Sequence, residues 1–281
     1  MLGGEDISRF AGVVASWGTT RPNATTMGVS VTPSTGAYGS YVALLSALAQ
    51  DCYGLLICIH SNYTAAASRN SIITIGIDEA GGSSYTDTIL HLLCGSASDY
   101  NIGSGGIWYY FPIYIKAGAT VGVKARSSVT TAFRVAAKYY NRPSHPHSIR
   151  VGSYVDCIGT TTEVGTAITP GTTSEGSWTT IGTTSRDAWW LQLGLQVGTA
   201  DTSWNANAIH VDVAYGDATN KEIIASDRLW TSSTNEYWFQ APEFFLGCVG
   251  HIPSGTTIYM RAQASGTLDT GMNTAVYLLG G

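Results

Sequence analysis

The sequence predicts an all-β chain made of two tandem, internally duplicated β-sandwich units. Three observations carry that prediction. Charged residues make up only 12% of the chain, and Gly, Ser, Thr and Ala separate many short apolar runs, as in turn-rich β proteins. Several of those runs alternate apolar and polar residues with the period of two that turns one strand face into a core. Finally, the second half of the chain repeats the first.

The repeat is visible at a nearly constant offset. "VTPSTGAYGSY" (Val31 to Tyr41) lies over "ITPGTTSEGSW" (Ile168 to Trp178) without a gap, at an offset of 137 that matches Pro33 with Pro170 and Tyr41 with Trp178. "DCYGLLICI" (Asp51 to Ile59) lies over "DAWWLQLGL" (Asp187 to Leu195) at 136, keeping Leu55/Leu191, Ile57/Leu193 and Ile59/Leu195. At the same shift "IITIGID" overlays "AIHVDVA", matching Ile73/Ile209, Ile75/Val211 and Ile77/Val213. "FPIYIKAGATVGVKARSS" and "FLGCVGHIPSGTTIYMRAQASG" follow as two strand–Gly turn–strand segments, with Gly118/Gly255, Val121/Ile258 and Ala125/Ala262 matched at 137. "TAFRVA" (from Thr131) and "TAVYLL" (from Thr274) close the two halves.

Each unit reads as seven or eight short strands with turns at sandwich spacing, and a jelly roll is the expected topology. The expected divisions are an N-terminal arm over 1–27, a first unit over 28–140, a linker over 141–164 and a second unit over 165–281. The arm has no counterpart ahead of the second unit in this alignment. "YVALLSALAQ" (Tyr41 to Gln50) has helix-forming composition. Its repeat partner "WTTIGTTSRD" does not, so strand and loop are expected there.

A net charge of −5 gives no basic stripe to displace counterions from phosphates, so no nucleic-acid partner is expected. The start lacks a basic region followed by an apolar one, and no apolar run reaches the length of a bilayer span, so neither secretion nor a membrane partner is expected. Cys52, Cys58, Cys94, Cys157 and Cys248 are scattered singly in apolar contexts, which suits buried free thiols.

Catalytic signatures do not emerge. There is no nucleophile elbow, phosphate loop or zinc-helix motif. His145 and His147 in "HPH" read as an exposed turn. His210 and Asp212 in "IHVDV" share a strand face and could form an acid/base pair, but their aligned partners, Thr74 and Gly76, make an exposed polar face the better reading. Asp78, Glu79, Asp217 and Glu222 sit beside Gly-rich turns and suit turn chemistry. No feature sets two carboxylates across a cleft as glycoside hydrolysis needs. No enzyme activity, metal or cofactor is expected.

The tryptophans are unevenly distributed. Trp178, Trp189, Trp190, Trp204, Trp230 and Trp238 all fall in the second unit. Trp189 and Trp190 are adjacent on a strand, so one of them cannot enter its own core. Trp178, Trp190, Trp204, Trp230 and Trp238 are the candidates for a subunit interface first, and for glycan stacking second.

The duplicated "YYFPIYIKAGATVGVKARSS" and "GHIPSGTTIYMRAQASG" segments, with the low-charge Gly/Thr/Ser style, resemble tandem jelly-roll virion proteins of tailed bacteriophages and gene transfer agents. The resemblance covers both units and implies a capsid decoration, cement or head-spike protein. It implies the virion as location after synthesis in the host cytoplasm, and the major capsid protein or other virion proteins as partners. A homo-oligomer is expected, with a trimer in view because three two-unit chains give a pseudo-hexagonal footprint. The alternative is a receptor- or carbohydrate-binding protein of a spike or tail appendage.

Overall fold

The computed structural model describes residues 15–16, 28–60, 71–94, 107–128, 130, 132–142, 151–160, 164–197, 208–233, 236–238, 245–266 and 272–281. Among them every regular element is a β-strand. The first ten are β1 (Ala15–Ser16), β2 (Val29–Val31), β3 (Ser34–Thr35), β4 (Val42–Leu45), β5 (Gly54–His60), β6 (Ser71–Asp78), β7 (Thr86–Leu93), β8 (Ile107–Phe111), β9 (Thr120–Ser127) and β10 (Phe133–Tyr140). The second ten are β11 (Tyr154–Ile158), β12 (Thr166–Ile168), β13 (Thr179–Thr183), β14 (Ala188–Val197), β15 (Ala208–Gly216), β16 (Lys221–Ser233), β17 (Glu236–Trp238), β18 (Phe245–Ile252), β19 (Thr257–Ala264) and β20 (Met272–Gly280).

Each unit is one long antiparallel ribbon rolled up on itself. In the first, β2 pairs with β10, β4 with β9, β5 with β8 and β6 with β7. Rolling that ribbon puts alternate pairs into two sheets, β2-β10-β5-β8 and β4-β9-β6-β7. That is the eight-stranded jelly roll. The second unit repeats it, with sheets β12-β20-β14-β18 and β13-β19-β15-β16, the latter extended by β17. Tyr41 to Gln50 forms β4 and a loop, as its repeat partner indicated.

Alternation builds the cores. Ile73 and Ile75 of β6 and Val121, Val123 and Ala125 of β9 are fully buried, and so are their counterparts Val211, Val213, Ile258 and Met260. Each such branched side chain contributes about 1.5–3 kcal/mol by leaving water. The turn before β9 repeats too: Gly118 (φ +83°) and Gly255 (φ +77°) take the left-handed conformation, where an L side chain is strained. Their N–H groups donate to the Leu48 and Thr184 carbonyls at 2.8 and 2.9 Å.

Strand register corrects the sequence alignment in two blocks. Thr74 pairs with Lys124 and Asp212 with Arg261, and Lys124 and Arg261 are themselves 137 apart, so β6 matches β15 at 138 (74 + 138 = 212) and not at 136. Phe133 pairs with Val31 and Met272 with Ile168, so the closing strands match at 139 (133 + 139 = 272), whereas the sequence alignment used 143. Both slips are even. An even slip keeps every apolar residue on its original face, and so the hydrophobic pattern cannot detect it.

The register also revises the arm. β1 pairs with β10 at Ala15↔Tyr140 as β11 pairs with β20 at Val155↔Leu279, so β1 has a counterpart. That counterpart lies in the stretch expected as linker, which thus contributes a strand to a sheet of the second unit.

The two units are locked together. The free edges of the first unit's sheets, β7 and β8, meet the face of the second unit's β11-β20-β14 sheet. Tyr277 on β20 is fully buried; its hydroxyl donates to the His91 carbonyl at 2.9 Å and accepts the Leu93 N–H at 2.8 Å. The amide of Gln192 on β14 does the same for β8: its Oε1 accepts the Tyr110 N–H at 3.0 Å and its Nε2 donates to the Trp108 carbonyl at 3.2 Å. Edge groups that would cost about 1–3 kcal/mol each if buried unpaired are thereby satisfied. Around them Tyr277 packs edge-on to Tyr109 (5.4 Å) and Phe111 (6.4 Å), while Trp190 packs edge-on to Tyr110 (5.9 Å).

Cys52, Cys58, Cys94 and Cys157 carry no disulfide. Burial pushes the Cys52 and Cys157 thiols up to about 12, with the Asp156 charge adding to the effect at Cys157, and it raises Cys58 and Cys94 as well. A thiol must ionise to react. These four are therefore expected to escape iodoacetamide at pH 8 in the folded protein and to be alkylated in denaturant, as read by peptide mass spectrometry.

Candidate functional site

The duplication places the same polar niche on both units, on the outer face of the β6–β9 and β15–β19 sheets. Its columns are Tyr38/Glu175, Tyr41/Trp178 and Lys124/Arg261, all at 137, with Thr74/Asp212 beside them. In both units the neighbouring strand bulges opposite the last column, and the bulge residue, His91 on β7 or Asp227 on β16, has a left-handed backbone (φ +54° and +50°). Each bulge N–H donates inward: His91 N to Thr74 Oγ1 at 3.4 Å, and Asp227 N to Asp212 Oδ1 at 2.8 Å.

In the second unit the niche is ionic. Asp212 is 3% exposed and accepts Arg261 Nε at 2.9 Å and a terminal guanidinium nitrogen at 2.8 Å, both at Oδ2. Glu175 also pairs with the guanidinium, and the Arg261 plane lies 4.4 Å from the Trp178 ring centroid. His210 Nδ1 is 3.7 Å from Asp227 Oδ1 at the rim. The hydrogen bond between Glu175 and Asp212 raises the Glu175 carboxyl above the usual range, helped by burial and the Asp212 charge. Burial works to raise Asp212, but hydrogen bonds from the Asp227 N–H, Arg261 and Glu175 outweigh it and hold the group below the usual carboxylate range.

These opposite shifts fix the pH response. Asp212's stabilisation is present above the unfolded aspartate value and lost as pH falls through its depressed value. Glu175's is present below the unfolded glutamate value and lost as pH rises through its raised value. Urea unfolding between pH 4 and 8 is expected to show wild type losing stability as pH rises from the unfolded glutamate value through the Glu175 titration. Glu175→Gln removes that loss.

In the first unit the niche is aromatic. Tyr38 Oη lies 2.6 Å from His91 Nδ1 and accepts Thr74 Oγ1–H at 2.9 Å. Lys124 Nζ sits 2.8 Å from both oxygens of Asp87 and 5.0 and 4.8 Å from the Tyr38 and Tyr41 ring centroids. The Tyr41 hydroxyl donates to Asp87.

The acidic groups of the second unit's niche are gathered on one guanidinium. Glu175, Asp212 and Asp227 bring their carboxyl oxygens within 4.8 Å of one another, the only such acidic trio among the described residues. Asp212 and Glu175 both grip one guanidinium. The same guanidinium supplies the positive charge that a metal ion would bring.

The sequence candidates are dispersed. Trp178 lies in the niche. Trp190 is 6% exposed inside the inter-unit contact, with no hydrogen-bond partner for its Nε1 among the described residues. Trp230 and Trp238 sit on β16 and β17, where Trp238 pairs with Thr231 and Trp230 with Ile209. Trp204, His145 and His147 lie outside the described residues. His210 and Asp212 are both at the niche, but Asp212's partner is Arg261. Asp78 accepts the N–H groups of Ala80 and Ser84, and Asp217 those of Thr219 and Asn220, as turn residues do. Sequence reasoning missed Tyr38, Glu175, Lys124 and Arg261, although their constant offset on outward positions could have found them.

No protein-family model and no curated protein matches this chain. Among solved structures it is similar to PNGF-II, at 8% identity and a TM-score of 0.37, over 90% of this chain and 65% of that one. This chain thus spans about two thirds of PNGF-II. The CBM22-1-CBM22-2 tandem domain of Paenibacillus barcinonensis Xyn10C is similar at 10% identity and 0.23, over 96% and 90% of the two chains. A structure of infectious bursal disease virus, Gx strain, is similar at 11% identity and 0.24, over 84% and 58%. Likeness at these scores carries no argument about function.

Proposed function

We propose that this chain is a non-enzymatic structural protein of a phage-like particle, one that decorates or stabilises the capsid exterior. One observation carries the reading: Tyr277 and Gln192 fasten the open edge of the first jelly roll onto a sheet face of the second. The two repeats are then one body, and their duplicated outer faces stand at a fixed separation. A pre-arranged pair of similar faces lets the second contact on a repetitive shell form at high effective concentration, without ordering a flexible linker first. The tight pairing of charges in the second unit's niche agrees with a recognition surface better than with a reaction centre.

The test is location. Antibody raised against the chain and carried on gold is applied to particles purified from the culture that makes it. Label on the outside of heads is the expected result. Particles that contain no copy of the chain, by label and by mass spectrometry, would overturn the proposal. The second reading, carbohydrate or receptor binding, draws its support from the aromatic niche of the first unit.

A further inference from the structure

His91 joins the first unit's niche to the contact between the units. Its ring and its backbone engage three different elements. On the second unit's side, Tyr277 Oη of β20 donates to the His91 carbonyl at 2.9 Å. On the niche side, the His91 N–H donates to Thr74 Oγ1 at 3.4 Å, Thr74 Oγ1–H donates to Tyr38 Oη at 2.9 Å, and Tyr38 Oη lies 2.6 Å from His91 Nδ1. These three hydrogen bonds form a circuit that leaves His91 and returns to it. With each hydroxyl accepting once and donating once, the circuit assigns Nδ1 as the acceptor of the Tyr38 proton, so the imidazole is neutral and carries its own proton on Nε2.

A proton on Nδ1 breaks the circuit. Two donors then face each other, and turning the Tyr38 hydroxyl toward Thr74 takes from the fully buried Thr74 hydroxyl the acceptor it donates to. We infer that His91 is an acid-sensitive pin: neutral, it holds the β7 bulge against the Tyr277 cap, and protonated, it releases the bulge and loosens the contact between the two units. The left-handed backbone of His91 (φ +54°) is a strained conformation that persists while its surroundings hold it, which makes the bulge the element that can let go. Burial keeps the imidazole below the ordinary histidine value; Arg126 and Lys124 of β9 add to that effect, and Asp87 of β7 works against it. The stability that neutral His91 contributes is therefore fully present above the unfolded value of about 6.5 and is lost as pH falls through the depressed one. In the second unit the bulge residue is Asp227 and its N–H goes to the Asp212 carboxylate, so the device belongs to the first unit. It needs only this fold, and it stands or falls independently of the particle role.

The test is hydrogen exchange of the whole chain at pH 7.5 and pH 5, read by mass spectrometry on peptides covering β7 and β20 and corrected for the intrinsic pH dependence of exchange. Wild type is expected to lose protection by about fivefold or more in both peptides at pH 5. His91→Asn puts an amide oxygen near the Nδ1 position, tolerates the left-handed backbone and does not titrate, so its protection should be the same at both pH values. Tyr38→Phe opens the circuit at any pH, so its β7 and β20 should be equally loose at pH 7.5 and pH 5; it decides the matter if His91→Asn fails to fold. Wild-type protection that does not change between the two pH values would overturn the inference, and so would an acid-induced loss that His91→Asn keeps. Loosening of β7 alone, with β20 unchanged, would overturn it as well, since the inter-unit contact is then not what His91 holds.

Discussion

Tyr277→Ala is expected to lower the unfolding free energy by about 5 kcal/mol, combining truncation of a fully buried aromatic with two abandoned edge groups on β7. The substitution also removes the ring that Tyr109 and Phe111 pack against. The first unit should then unfold separately from the second, so that urea unfolding followed by fluorescence and far-UV circular dichroism changes from one shared transition to two. Tyr277→Phe keeps the ring and loses only the hydroxyl, so its cost should be roughly 2 kcal/mol, with a single transition retained. Equal costs for the two variants would mean that packing alone, and not the capping of β7, joins the units.

The second large effect belongs to Arg261. Arg261→Ala leaves Asp212 buried beside Glu175 with no counter-charge, and breaking such a pair from one side costs about 3 kcal/mol. Adding Asp212→Asn should recover much of that loss, because the orphaned charge goes with it; a double-mutant cycle on urea midpoints measures the recovery. Lysine in place of Arg261 is not equivalent, since a point charge cannot donate twice to Asp212 Oδ2, reach Glu175 and stack on Trp178 at once.

Much of this was legible in the sequence, for reasons that also explain what was not. The jelly-roll repeat could be read because β4/β13 and β9/β19 keep both offset and alternation, with Gly118 and Gly255 as fixed points. The β6/β15 match was misread by two residues because a two-residue slip returns every side chain to its own face. That slip hid the equivalence of Thr74 and Asp212, and with it the meaning of the "IHVDV" stretch. Adjacent Trp189 and Trp190 announced that one indole must leave its own core. It does so by entering the contact with the first unit, which no local pattern could identify as its destination. Tyr277 gave no signal at all: it looks like any inward tyrosine of a strand, and its partners on β7 lie 184 and 186 residues away.

The claim that most needs testing is that this two-unit body assembles. Light scattering of the purified chain across a hundredfold range of concentration addresses it directly. A closed oligomer of constant mass, a trimer being the expected one, is what the structural role predicts. A monomer of 29.7 kDa at every concentration would contradict self-assembly.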